Sequence, residues 1–187
     1  MQRDIHKEVI AKCQQGDRAA QYELYRLYSH AMYNICRRMI PDDDDAKDLL
    51  QEVFIEVFGQ IKKLNGINFF SAWIKRVTIN KCLNALRKKR LFVMSLDEGI
   101  DPPEEVLETY DQDVMAHDVK SILHAAENLA PGARTVFNLY LFDGYDHQEI
   151  ADILQISVSA SKSQYCKAKA KIRNILMSAK DQKYGTG

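Results

Sequence analysis

Apolar side chains recur at three- and four-residue intervals along almost all of this 187-residue chain, and that period dictates helices. From an N-cap at Asp17, the run Tyr22, Leu24, Leu27, Tyr28, Ala31, Met32 and Ile35 predicts an amphipathic helix that ends before Pro41. DDDDAKDLLQEVFIEVFGQI predicts the next helix, its acids at the N-terminus where the helix dipole favours them. After a turn containing Asn65 and Gly66, FSAWIKRVTINKCLNALRKKR (70–90) predicts a third, with Ser71 as candidate cap. Around LFVMSLDEGIDPPEEVLETYDQD the period fails, and Pro102-Pro103 with the surrounding acids mark a linker. Helical spacing resumes from about Val114, with breaks at Pro131-Gly132, Asp143-Gly144 and Ile156-Ser157. No strand-like alternation and no internal repeat competes with this pattern. The expected fold is all-α: two small helical domains, 1–90 and 113–187, joined by a flexible acidic linker at 91–112.

Composition narrows the function classes. A hydrophobic content of 46% is enough for a real core, so wholesale disorder is not expected. No apolar run approaches the roughly 18–20 residues of a membrane span, and MQRDIHKEV has no signal-peptide core, so a cytoplasmic protein without membrane insertion is expected. Cys13, Cys36, Cys82 and Cys166 are far apart and form no CxxC pair, which argues against disulfides and a zinc site and fits a reducing cytosol. Asp42 to Asp45 are consecutive at a helix start, where carboxylates splay apart, so capping suits them better than a metal. No nucleophile–base pairing, phosphate loop or metal-spaced cluster points to an enzyme, and neither metal nor cofactor is expected.

The formal net charge of zero conceals an uneven distribution. Residues 1–90 carry +6, residues 91–127 carry −9 and residues 128–187 carry +3. Two basic blocks flank an acidic connector, a pattern that says more about partners than the total does.

In the C-terminal block, Ile150, Ala151, Ile153 and Leu154 give a short helix one apolar face. A turn through Gln155, Ile156 and Ser157 leads into a longer helix with Tyr165, Ala168, Ile172, Ile175 and Leu176 on one stripe. Lys162, Ser163, Cys166, Lys167, Ala170 and Arg173 line the opposite stripe, and no acid occurs between Asp152 and Asp181. A short helix, a turn and a basic second helix is the layout that lays a recognition helix in the DNA major groove. A helical hairpin with a solvated lysine face is the alternative.

Two helices of the N-terminal block have two-sided character. Leu49, Leu50, Val53, Phe54, Val57 and Phe58 form a core face, while Asp45, Asp48, Glu52 and Glu56 lie opposite, with Gln51 and Ile55 beside them. An isoleucine among carboxylates suits docking of a basic or amphipathic partner helix; a solvated acidic face is the alternative. In the next helix Ile79, Cys82, Leu83 and Leu86 must face the core. Trp73, Val77, Asn80, Asn84, Arg87 and Lys88 form a second stripe roughly 140° away. Such aromatic, amide and basic groups can stack on bases, bond their edges and hold phosphates. The alternative is that Trp73 packs against Phe69 and Phe70 and the asparagines face water.

These segments together resemble one family. DAKDLLQEVFIEVF is similar to the D-A-E-D-L-x-Q-E-x-F signature of region 2 in bacterial sigma factors, and FSAWIKRVTINKCLNALRKKR to the segment that follows it. LAPGARTVFNLYLFDGYDHQEIADILQISVSASKSQYCKAKAKIR resembles region 4 of the same family, and MSLDE resembles a linker element often seen there. With no third helical domain between the blocks, the resemblance is to the extracytoplasmic-function type of the sigma-70 family.

The resemblance implies a sigma factor that directs core RNA polymerase to promoters, not an enzyme. Asp45, Asp48, Gln51, Glu52 and Ile55 would dock on the coiled coil of the polymerase β′ subunit, and region 4 would meet the β flap. Asn65, Phe70, Trp73, Val77, Asn80 and Asn84 would read and open the −10 element, with Arg87 and Lys88 on phosphates. Lys162, Ser163, Cys166 and Lys167 would face the −35 element. Promoter DNA and an anti-sigma factor are implied partners. The linker, residues 91–112, could span at most roughly 70 Å, about two turns of B-DNA. Lys47, Asp146, Ser159-Ala160-Ser161 and Gln164 depart from the family pattern. A free-standing helix-turn-helix regulator is the alternative function.

Overall fold

The computed structural model describes residues 2–64, 69–88 and 119–184. Among these, eight α-helices and one 3-10 turn occur and no strand. The chain divides into two compact units, Met1–Leu86 and Arg87–Gly187. The acidic linker expected at 91–112, and Asn65 with its turn, lie outside the described residues.

The first unit holds α1 (Gln2–Gln14), α2 (Arg18–Met39), α3 (Asp43–Gln60), a 3-10 turn (Ile61–Lys63) and α4 (Phe70–Lys88). Asp17 caps α2 as its position predicts, its carboxylate accepting from the Ala19 and Ala20 amides at 2.8 and 3.1 Å. Asp42 caps α3 in the same way, accepting from Asp44 and Asp45 at 3.0 and 2.9 Å. Capping therefore accounts for the head of the acid run. Ser71 is not the cap of α4: it sits inside the first turn and shares a 3.1 Å hydrogen bond with the Tyr28 hydroxyl.

Ile79, Cys82, Leu83 and Leu86 are buried with Ile74 and Phe70 against Leu24, Tyr28, Met32 and Ile35 of α2 and Leu50, Val53, Phe54 and Val57 of α3. Each such side chain contributes about 1.5–3 kcal/mol relative to exposure. The stripe expected on α2 is only partly core, since Tyr22 and Leu27 are 67% and 41% exposed. They lie at its margin, on a helix covered by α1 on one side and α3 on another. Helix α1 contributes Val9, Ile10 and Cys13 to the core, an element that the spacing after the Asp17 cap does not announce.

The second unit holds α5 (Val119–Ala126), α6 (Pro131–Leu141), α7 (His147–Leu154) and α8 (Val158–Tyr184). Pro131 opens α6, where its missing N–H costs nothing. Buried Arg134 of α6 donates to the Ala126 and Glu127 carbonyls, satisfying the end of α5. Gly144, at φ +74°, sits midway in the α6–α7 connection in a conformation that a glycine adopts without strain. Asp146 caps α7 reciprocally: its carboxylate accepts from Glu149 N at 2.8 Å, and the Glu149 carboxylate accepts from the Asp146 amide at 2.9 Å.

Candidate nucleic-acid and partner interfaces

Helix α3 presents an outward row. Asp45, Asp48, Gln51 and Glu52 are exposed, and Ile55 is 73% exposed among them. The large side chain is held out because Val53, Phe54 and Val57 fill the opposite face. Beside this row, Lys47 bonds Asp43 at 2.7 Å and Asp44 at 3.2 Å, while Arg37 lies 3.6 Å from Asp43 and the Tyr33 hydroxyl donates to the same carboxylate. The Lys47 and Tyr33 hydrogen bonds hold the Asp43 carboxyl below the usual range, and Lys47 is raised by bonding to Asp43 and Asp44. Lys47 thus engages Asp43 and Asp44, the first two acids of the helix, and not the outward row that follows them.

On α4, Asn80, Asn84, Arg87 and Lys88 are exposed and Trp73 is half-buried, tilted against Phe70 at 5.6 Å between ring centroids. Trp73, Val77, Asn80 and Asn84 line a groove of about 270 Å³ whose far wall is Glu56 and Gln60 of α3. Lys81 crosses between the helices, 3.1 Å from Glu56 and 3.6 Å from Glu52, and its ammonium is raised chiefly by the Glu56 bond. Lying between the two stripes of α4, it escapes the helical wheel.

Two expectations for this surface need correction. Phe70 is 1% exposed, packed edge-on to Tyr28 at 5.1 Å, so its ring belongs to the core. Its neighbour Phe69, 72% exposed, is the aromatic that faces solvent. Val77 is 8% exposed and forms groove wall, because α3 closes over that side of α4.

In the second unit, α7 and α8 form a helix-turn-helix whose turn passes through Gln155 at φ 59°. Ile150, Ala151, Ile153 and Leu154 are buried against Tyr165, Ala168, Ile172 and Leu176 as their spacing predicts. Lys162 is exposed, and Cys166, Lys167 and Arg173 are half-buried. Ser163, expected on the outer stripe, is 5% exposed. Its short side chain is easily overlaid by longer groups one turn on, which lean toward the helix N-terminus.

The departure at Ser161 has a partner. Ser161 is fully buried and bonds His147 Nδ1 at 2.9 Å. His147 stacks on Tyr140 at 4.7 Å, Tyr140 meets Tyr165 at 4.4 Å, and the Lys169 ammonium lies 4.7 Å over the Tyr165 ring. Lys169, 1% exposed, is therefore a basic residue of α8 turned inward, and neither stripe of the wheel contains it.

Among the described residues no cluster of three or more His, Cys, Asp or Glu could hold a metal ion, and no helix is long and apolar enough to cross a membrane.

The chain matches the family model of sigma-70 region 2 over residues 24–92 and that of sigma-70 region 4 over residues 120–172. The RNA polymerase sigma-H factor of Pseudomonas aeruginosa is 23% identical over 179 residues, covering 91% of this chain and 93% of the relative. The ECF RNA polymerase sigma factor SigW of Bacillus subtilis is 24% identical over 186 residues, covering 91% and 96%. SigE of Mycolicibacterium smegmatis is 27% identical over 172 residues, covering 86% of this chain and 64% of the relative. Two solved structures share the fold. CnrH, in complex with the cytosolic domain of CnrY, superposes with a TM-score of 0.55 at 19% identity, covering 92% of this chain and 97% of CnrH. The sigma factor RpoE, in complex with the anti-sigma factor NepR from Bartonella quintana, superposes with a TM-score of 0.54 at 18% identity, covering 83% and 96%.

Proposed function

The chain belongs to the sigma-70 family, among its extracytoplasmic-function members, and on that premise we propose how its surfaces divide the work of transcription initiation. It directs core RNA polymerase to specific promoters as a non-enzymatic, cytoplasmic specificity subunit. The observation that carries this function is the match of region 2 and region 4, in order, to helices of two separate compact units. A free-standing helix-turn-helix regulator is not favoured, since it would give the whole of region 2 no role.

Residues 1–90 act as the polymerase-docking and −10 unit, 91–112 as connector and 113–187 as the −35 unit. Asp45, Asp48, Gln51, Glu52 and Ile55 meet the β′ coiled coil, a role supported by their outward row and the exposure of Ile55. Asn80, Asn84 and the half-buried Trp73 address the opened −10 strand, with Arg87 and Lys88 on phosphates; the groove along α4 supports this assignment. Phe69 takes the stacking role for which Phe70 is too buried, and Asn65 belongs to the same site by family resemblance. Lys162, Lys167 and Cys166 face the −35 element, while Ser163 acts from beneath them. The β flap is the partner of the second unit. Solved complexes of the related folds contain an anti-sigma factor or a cytosolic domain, which supports an anti-sigma partner here.

In vitro transcription with core polymerase on a genomic library, with start-site mapping, tests the function: core plus the chain starts at defined sites and core alone does not. Ile55→Asp is expected to abolish capture of core and initiation together. The pair Asn80→Ala and Asn84→Ala is expected to reduce initiation while core capture stays at the wild-type level. Core capture unaffected by Ile55→Asp would overturn the docking assignment.

A further inference from the structure

Helix α1 precedes the stretch that region 2 matches, and no role in promoter recognition has so far been given to it. It reaches the chain on both sides of residues 65–68. At its C-terminal end the Gln14 side-chain amide donates to two carbonyls, Ile61 O at 3.1 Å and Leu64 O at 3.0 Å. At its other end His6 Nδ1 bonds the Tyr28 hydroxyl at 3.0 Å, and that hydroxyl bonds Ser71 Oγ at 3.1 Å in the first turn of α4. The Tyr28 ring packs edge-on against His6 at 5.6 Å and Phe70 at 5.1 Å. Burial of Val9, Ile10 and Cys13 fixes α1 to the rest of the unit, so both attachments start from an anchored element.

Packing alone would hold α1 without these polar contacts. Gln14 is half-buried and could bond to water, yet one amide group donates to two carbonyls at the 3-10 turn, Leu64 O and Ile61 O, the latter also accepting from the Leu64 amide. Tyr28 places one hydroxyl between an α1 side chain and an α4 side chain, where a phenylalanine would pack as well. The two contacts bracket one stretch of sequence: one ends at Ile61 and Leu64, the other at Ser71, between Phe70 and Trp73 in the first turn of α4. Base discrimination depends on holding such groups within about half an ångström.

We propose that α1 is a positioning element for −10 recognition, with Gln14 and the His6–Tyr28–Ser71 relay as positioning residues that fix where the first turns of α4 meet the DNA. This rests on the −10 role proposed for α4. Loss of the brace broadens the promoter preference without weakening polymerase docking, since the α3 row lies on neither contact.

The test is transcription from a library with a randomised −10 segment, using core polymerase and the full chain, with start sites sequenced. Gln14→Met removes both donated bonds at nearly constant volume, and Tyr28→Phe deletes only the hydroxyl. Thermal unfolding and core capture serve as controls for each. A single mismatch ordinarily reduces binding on the order of tenfold; with either variant that penalty is expected to shrink several-fold while capture of core is unchanged. A merely structural contact would lower unfolding temperature or total output and leave the ranking of −10 sequences intact. Wild-type ranking in both variants overturns the brace alone, as does broadened ranking only in step with lost stability. Absence of any start with the wild-type chain overturns the brace together with the sigma reading.

Discussion

Phe69 and Phe70 are neighbours in sequence and opposites in environment, 72% and 1% exposed. In the first turn of a helix consecutive side chains point about 100° apart, so one phenylalanine of a pair can be core while the other faces solvent. The pair makes a clean comparison because the chain's one tryptophan, Trp73, lies in the same unit and reports its unfolding by fluorescence. Phe70→Ala is expected to destabilise this unit by about 3–5 kcal/mol, the range for truncating a buried ring. Phe69→Ala should stay within about 0.5 kcal/mol of wild type and instead impair opening of the −10 strand. Denaturant titration monitored by Trp73 separates the two effects. An equal loss of stability in both variants would contradict the difference in burial.

Among elements, α7 shows how a local rule survives a change of residue. Asp146 departs from the family pattern and still caps the helix, because what the helix needs is an acceptor for the Glu149 amide. Asp146→Ala is expected to cost about 1 kcal/mol, seen by circular dichroism as a shift in a transition that Trp73 fluorescence does not follow. The elements with strong periodic signals, α2, α3, α4 and α8, were legible in sequence because apolar spacing is sustained there, and at α2 and α3 the caps agree with it. Helix α1 was not, since its three buried residues, Val9, Ile10 and Cys13, form too short a stripe to stand out. The outward row of α3 could be read because carboxylates flank a lone isoleucine. The inner fate of Phe70, Val77, Ser163 and Lys169 could not, because it depends on which neighbouring helix covers each edge of the wheel. A wheel gives angles around one axis; burial depends on the second helix.

Across the whole molecule the four cysteines are distributed unequally. Cys13, Cys36 and Cys82 are buried in the first unit, and Cys166 is half-buried on the basic stripe of the second. Burial, reinforced by Asp17 and Glu23, pushes the Cys13 thiol from 9.0 up to about 11. A raised thiol pKa means that the unfolded chain releases this proton first. Its contribution to stability is therefore full below pH 9 and declines as pH rises from 9 to about 11. In a native titration at pH 8 with a thiol reagent, Cys166 is expected to react ahead of the other three, which should become reactive only on unfolding. Simultaneous reaction of all four would contradict their burial. Cys166 also lies one helical turn from Lys162 and adjacent to Lys167, on the face assigned to the −35 element. The native chain consequently carries a chemical footprinting probe at that face, and protection of one sulfur from alkylation would time the arrival of DNA there.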